Sequence, residues 1–296
     1  MELLLRLLVP VLVVLVVLVL VWVGRAMLEG AREGVDEARQ EEAQANAIKA
    51  AAAQQEAEAR RQRFEAAAAA LAPTDRFALN LRAPFTEIWL ELFPHEGDDL
   101  DLEYLYRLTP PAGQEGELRK SLEAGWDITD HASAMHSLAG LLDTGHRHPY
   151  EQVRQALASG SDLKGLTREA SVVRKWEAQV GGAGAAAFDL ARAVDVAAQA
   201  HALGYLTEAQ CWRVLRQCRT LALDTFQNWE TYGSSFLAGA EFWKSGGLLG
   251  GAMHKRYAQS VRWLLENPDS PWVRDPWPAR PEAVQAEREV RVDALN

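Results

Sequence analysis

An all-α chain is predicted, in three parts: a transmembrane helix at the N-terminus, a long helical stalk and a compact multi-helix domain. Three observations predict it. Residues 3–23 are almost pure Leu and Val, and residues 25–72 form an Ala/Glu/Gln/Arg tract without a proline. Beyond them, apolar residues recur at helical spacing between capping residues, and no sustained period-two run is bounded by hairpin turns.

Residues 1–24 read as the anchor. Residues 7–23 are 17 consecutive uncharged residues, and the 21 residues of 3–23 span roughly 30 Å as a helix, the thickness of a bilayer's hydrocarbon core. The apolar run is too long for a cleaved secretory signal, and no small-x-small site follows Val23. Arg6 stands where its side chain can snorkel to the headgroups, and Trp22 falls at the far interface. Arg25, Arg32 and Arg39 outnumber Arg6 on the other side. By the positive-inside rule this gives a single-pass protein of the inner (cytoplasmic) membrane with its C-terminal domain in the cytoplasm. Cys211 and Cys218 agree: seven residues apart on a helix they lie about 10 Å from each other, too far for a disulfide.

Residues 25–72 read as the stalk. Strong helix formers with charges of both signs suit a solvated helix. Between Leu28 and Leu71 the larger apolar residues are only Val35, Ile48 and Phe64, a poor a/d register, so a dimeric coiled coil is the alternative. Residues 73–119 read as an irregular helical lead-in of two short helices and loops.

The domain proper is placed at residues 120–266. Thr129 or Asp130 can cap a helix that sets Met135, Leu138, Ala139 and Leu142 on one face and ends at Gly145. A second begins near Thr167, with Val172, Val173, Trp176 and Val180 on one side. Residues 189–203 carry a polar stripe and end at Gly204; Thr207 then opens a capping box with Gln210. The next helix places Trp212, Leu215, Cys218, Ala222, Phe226 and Trp229 on one face, with Gly233 as its stop. A last helix over 253–265 ends at Asn267-Pro268. Residues 267–296 hold a Pro/Trp strap with Trp272 and Trp277, pinned onto the domain, and a charged tail.

Two segments carry a resemblance. The first is Trp126-Asp127-Ile128, then Leu138, Leu141, Leu142 and Gly145-His146-Arg147. The second is Phe188-Asp189-Leu190-Ala191-Arg192-Ala193, Gly204-Tyr205-Leu206-Thr207-Glu208, Cys211-Trp212, Phe226-Gln227-Asn228-Trp229-Glu230 and Gly239-Ala240-Glu241-Phe242-Trp243. In this order they resemble the bacterial family catalogued as domain of unknown function 1266, over about residues 120–245. Members often carry Trp where this chain has Phe188. The resemblance implies a fold and supplies no mechanism.

Composition narrows the chemistry. A formal net charge of −10 argues against nucleic acid as a partner, because phosphate binding needs clustered Lys and Arg. Gly182-x-Gly184-x-x-Ala187 fits the dinucleotide fingerprint in letters only, since a helix rather than a strand precedes it. Residues 246–251 have P-loop glycine spacing without the Lys-Ser/Thr. His131, His136, His146 and His148 cluster in sequence, yet His131 and His136 splay by about 140° on a helix, unlike a zinc-binding i, i+4 pair. No metal and no cofactor is expected. His146 is expected to bond a partner at the end of the first domain helix, where its charged form would suit the C-terminal dipole. The candidate polar cluster is Asp189, Arg192, Asp195, Glu230 and His146. An Arg between two carboxylates reads first as a structural ion-pair network.

The expectation is therefore a membrane-anchored, non-enzymatic module that binds the lipid bilayer through residues 3–23 and another protein through its domain. The alternative is a hydrolase or transferase that uses the Asp/Arg/Glu/His cluster.

Overall fold

The computed structural model describes residues 2–85, 105–108, 113, 115–161, 163–244 and 250–278; within its helices, the side chains of residues 2–19, 26, 28–38, 60, 244 and 250–252 lie outside the description. Every regular element among the described residues is a helix. The chain divides into two units, Met1–Arg61 and Gln62–Asn296.

The first unit lies within a single helix, α1 (Glu2–Ala69), whose last turns belong to the second unit. The stalk is thus helical as its composition requires. Ile48 is exposed, as are its described neighbours. Among the described residues no helix is long and apolar enough to cross a membrane. Most of the Leu/Val run at 3–23 has side chains outside the description, so the anchor finds no support in the structure and rests on the sequence alone.

The second unit contains α2 (Pro73–Asn80), α3 (Glu115–Trp126), α4 (His131–Asp143), α5 (Arg147–Ala158), α6 (Thr167–Val180), a 3₁₀ turn (Gly181–Ala183), α7 (Ala186–Ala202), α8 (Glu208–Thr225), α9 (Trp229–Lys244), α10 (Gly250–Glu266) and α11 (Pro271–Arg274). Helix α7 is its axis. It packs against α3, α4, α8 and α9, and nearly every residue from Ala187 to Ala200 is buried, including Asp189, Arg192 and Gln199. The polar stripe at its start thus faces the interior. A helix buried all round leaves its polar residues no water, so each needs a partner in the protein. A smaller apolar cluster (Tyr150, Val153, Val173, Ala238, Phe242 and neighbours) sits among α5, α6 and α9. Gly239 permits the α7–α9 contact: a Cβ there would stand 2.5 Å from Phe188 Cβ.

The caps fall where local chemistry puts them. Asp130 and Ser133 form a capping box on α4, as Thr207 and Gln210 do on α8. Other expectations shift. On α4 the buried face is Ala134, Leu138 and Leu141, while Met135 and Ala139 are exposed. Gly233 does not stop α8, which ends at Thr225; Phe226 turns extended, the Asn228 carboxamide accepts from Thr231 N (2.8 Å), and Gly233 lies inside α9. Helix α5 was not anticipated, because its first turn is Arg-His-Pro. Proline is tolerated there, where the missing N–H would have no intrahelical acceptor.

The strap docks as expected. Trp272 stacks on Trp229 with centroids 4.7 Å apart, and Trp277 meets Trp229 and Phe77 edge-on. The Trp272 indole donates to Asn80 O (2.9 Å), and the Trp229 indole to Asp275 O (3.0 Å). The Asp275 carboxylate accepts from Arg76 (2.8 Å to Nη2), Asn80 and Tyr106. The charged tail lies outside the described residues, as does most of the glycine run at 246–251.

Candidate functional site

The Gly145-His146-Arg147 turn between α4 and α5 meets Asp189 and Arg192 on the first two turns of α7. Helix α5 begins without a side-chain cap of its own. The cap comes from 43 residues away: Asp189 Oδ1 accepts from His146 N (2.9 Å) and Oδ2 from Arg147 N (2.8 Å). A carboxylate on the first amides of a helix satisfies orphan donors and complements the dipole. The same turn closes α4, where the Arg147 guanidinium donates to Leu141 O (2.9 Å) and Leu142 O. One tripeptide thus puts an anion at the start of one helix and a cation at the end of the other. Gly145 makes room for it. Its φ is +52°, and a Cβ would stand 2.1 Å from Asp189 Oδ2.

Asp189 is fully buried, and its charge is compensated by Arg192 Nη2. The Arg192 guanidinium lies 4.4 Å from the Phe188 ring centroid and 5.5 Å from that of Trp126. Burial pulls its pKa below the ordinary 12.5, against the opposing pull of Asp189. Arg192 Nη2 also donates to His146 Nδ1 at 2.5 Å. Burial, and next the Arg192 charge, lower the His146 pKa to about 4 despite Asp189. The imidazole is therefore neutral, with its proton on Nε2. This corrects the expectation of a charged His146 at a helix C-terminus: the residue stands at the N-cap of α5, beside an arginine.

The five candidate residues do not converge. His146, Asp189 and Arg192 come together. Asp195 does not join them, because six residues along a helix turn it about 120° from Asp189. Its Oδ1 lies 3.7 Å from Arg82 Nη1 and its Oδ2 accepts from Gln199 Nε2 at 2.6 Å. Burial raises its carboxyl pKa to about 6, against the pull of Arg82. Glu230 is exposed in the first turn of α9. The Arg192 fork between two acids is thus a pair with Asp189 alone.

A second polar cluster went unread in the sequence. Glu241 on α9 accepts two hydrogen bonds on one oxygen, Oε2, from Lys175 Nζ (2.6 Å) and Trp176 Nε1 (2.8 Å) of α6, and His254 Nε2 of α10 lies 3.4 Å from the same oxygen. Burial lowers the His254 pKa against the pull of Glu241. Its signal was Glu241 within the Gly-Ala-Glu-Phe-Trp segment, but nothing local names partners 66 residues upstream. Among the described residues no three His, Cys, Asp or Glu side chains are grouped to hold a metal. His131 bonds Tyr205 O and His148 bonds Gln152. Cys211 and Cys218 are buried free thiols, and burial pushes both up to about 12.

Beside the turn, an open groove of about 520 Å³ is lined by His146, residues of α5, the stretch leading into α6, and Phe242 and Trp243 at the end of α9. Trp243 is 45% exposed.

The segments that carried the resemblance are thus the ones that build this turn, Gly145-His146-Arg147 against Asp189 and Arg192, and they also hold Glu241. A family model, described as Protein of unknown function (DUF1266), matches residues 121–277, just over half the chain. The chain belongs to that family. The match runs past residue 245, where the sequence resemblance ended, through α10 and the strap, so Trp272 and Trp277 are part of the family's domain. No curated protein and no solved structure matches the chain.

Proposed function

We propose that the protein is a membrane-anchored interaction module whose family domain binds another protein. The observation that carries this reading is the state of Asp189. The carboxylate best placed for acid–base work is fully buried and holds two backbone amides and Arg192, with Arg147 Nη1 3.7 Å away. It spends its hydrogen-bonding capacity on the α4–α5 turn. Glu230, which the hydrolase reading needs beside it, stands elsewhere on the surface. What the turn leaves accessible is the groove with its exposed tryptophan, a surface suited to recognition.

The anchor in this proposal is the uncharged run at residues 7–23, and the excess of arginine after it supports a cytoplasmic domain. Alkaline carbonate washing tests the anchor: full-length protein should stay in the membrane and a chain lacking residues 1–24 should not. Extraction of the full-length chain overturns it. Protease added to intact spheroplasts should spare the domain. For the interaction, chemical crosslinking of the full chain in its own membranes should yield one reproducible protein partner. Absence of any such species under conditions that crosslink a known complex defeats the module reading.

A further inference from the structure

We propose that the groove along α5 receives a short apolar segment of the partner protein that bears a Lys or Arg and offers a backbone carbonyl to His146; this rests on the interaction-module reading above. Three observations converge on the groove.

The first is shape. The α5 wall is one stripe, His146, Pro149, Val153 and Ala156, at spacings of three, four and three, so about 15 Å of helix faces the occupant. That length suits a few residues of extended chain or about three turns of helix, and the groove is open to solvent rather than closed around a small molecule.

The second is the apolar lining. Val153 and Phe242 are buried and form a floor, while Leu166 (41% exposed) and Trp243 (45%) stand at the surface. Large apolar side chains exposed beside a buried floor are the pattern of an anchor pocket, where a few residues carry most of the binding energy.

The third is the polar complement, which fixes the sign of the occupant. His146 Nδ1 is taken by Arg192, so Nε2 carries the proton on the ring edge away from that pair, and it has no hydrogen-bond partner among the described residues. A neutral imidazole held in one tautomer donates to a carbonyl oxygen and offers no charge to a carboxylate. The Arg192 charge behind it is already matched by Asp189. The ionised side chain in the lining is Glu169, half-buried on the first turn of α6. Electrostatic complementarity therefore favours a cation in the occupant and disfavours an anion.

The test uses full-length protein in lipid nanodiscs, with empty nanodiscs as the blank. Two labelled peptides share one Leu/Phe pattern and are blocked at both ends; one carries Lys and the other Glu. Fluorescence anisotropy should show the Lys peptide binding at least about tenfold more tightly. Glu169→Lys should reverse that order, Trp243→Glu should abolish binding of both, and His146→Phe should weaken both several-fold. Melting curves accompany each variant. Glu169 makes no hydrogen bond or ion pair among the described residues, so Glu169→Lys decides the matter even if His146→Phe unfolds. Binding of neither peptide, an order unchanged by Glu169→Lys, or binding that survives Trp243→Glu overturns the proposal. A membrane crosslink to a partner that persists in Trp243→Glu moves the docking surface elsewhere and leaves the module reading standing; a crosslink that never forms removes both.

Discussion

Two clusters of the same residue types behave differently in this domain. Around Asp189 and around Glu241 a carboxylate meets a cation, a histidine and an aromatic ring. Asp189 is fully buried and bonds the backbone of two residues that start a helix. Glu241 keeps 24% of its side chain exposed, its Lys175 partner 53%, and its donors are all side chains. The first cluster determines where the chain turns; the second ties together helices α6, α9 and α10 that are already packed. What separates them is attachment to the main chain and loss of water, not the inventory of charges.

The sharpest way to break the comparison is Asp189→Ala. It leaves Arg192 buried without its counter-charge, about 3–5 kcal/mol, and removes an N-cap worth about 1 kcal/mol more. Denaturant unfolding should show a loss above about 4 kcal/mol, or no folded protein at all. Gly145→Ala attacks the same bond from the other side. A left-handed φ costs a non-glycine residue about 1–2 kcal/mol, and the new Cβ displaces the carboxylate, so its loss should approach that of Asp189→Ala. Arg192→Met should cost about 3 kcal/mol, at the lower end of a broken buried pair, because two amides still hold Asp189. A melting temperature unchanged or raised in Arg192→Met would end the structural reading of this face.

Glu241→Gln should be mild, within about 1 kcal/mol, since a half-exposed pair in water contributes little. A loss as large as that of Arg192→Met would erase the contrast between the clusters.

The last contrast is in pH. Folded His146 takes up a proton only near pH 4, whereas its ordinary value is 6.5. Between these the unfolded chain binds more protons, so stability is level above about pH 6.5 and falls as pH is lowered toward 4. Asp195 works the other way: its carboxyl, raised from 3.8 to about 6, favours the fold at low pH, and that contribution is lost as pH rises through 6. The difference between wild type and His146→Gln isolates the histidine, and this difference should shrink as pH falls from 6.5 to 4. A difference independent of pH would mean that burial and the Arg192 charge do not hold the ring neutral.

What the sequence makes legible follows from range. The capping box at Thr207 closes within three residues and is read directly; for α4 the sequence narrows the cap to Thr129 or Asp130, and Asp130 supplies it. The stop at Asn267-Pro268 and the aromatic strap are equally local in their chemistry. The cap of α5 could not be read, because its donors and acceptor are 42 and 43 residues apart and the helix opens with a proline. Asp189, Arg192 and Asp195 looked like one network because a spacing of three repeats; the helical angle sends the third residue to Arg82 instead. Glu241 was visible as a letter, and its partners were not. Trp243 was likewise visible as a letter, and the groove it lines is created only by the packing of α5.

The strap bears on how the chain is made. Arg76 and Asp275 are 199 residues apart, and Trp272 and Trp277 cover Trp229 and Phe77. During synthesis from the N-terminus, those covered rings and the Asn80 carbonyl wait for partners among the last residues of the family's domain to be produced. A nascent chain that has reached Glu266 already has every long helix of the described residues in hand but not its lid of tryptophans, and its uncovered aromatic face is what a chaperone would meet. Contacts of such sequence separation also slow closure once the chain is free. The domain is finished from its tail, so a truncation that looks harmless at the end of the last long helix interrupts its final step.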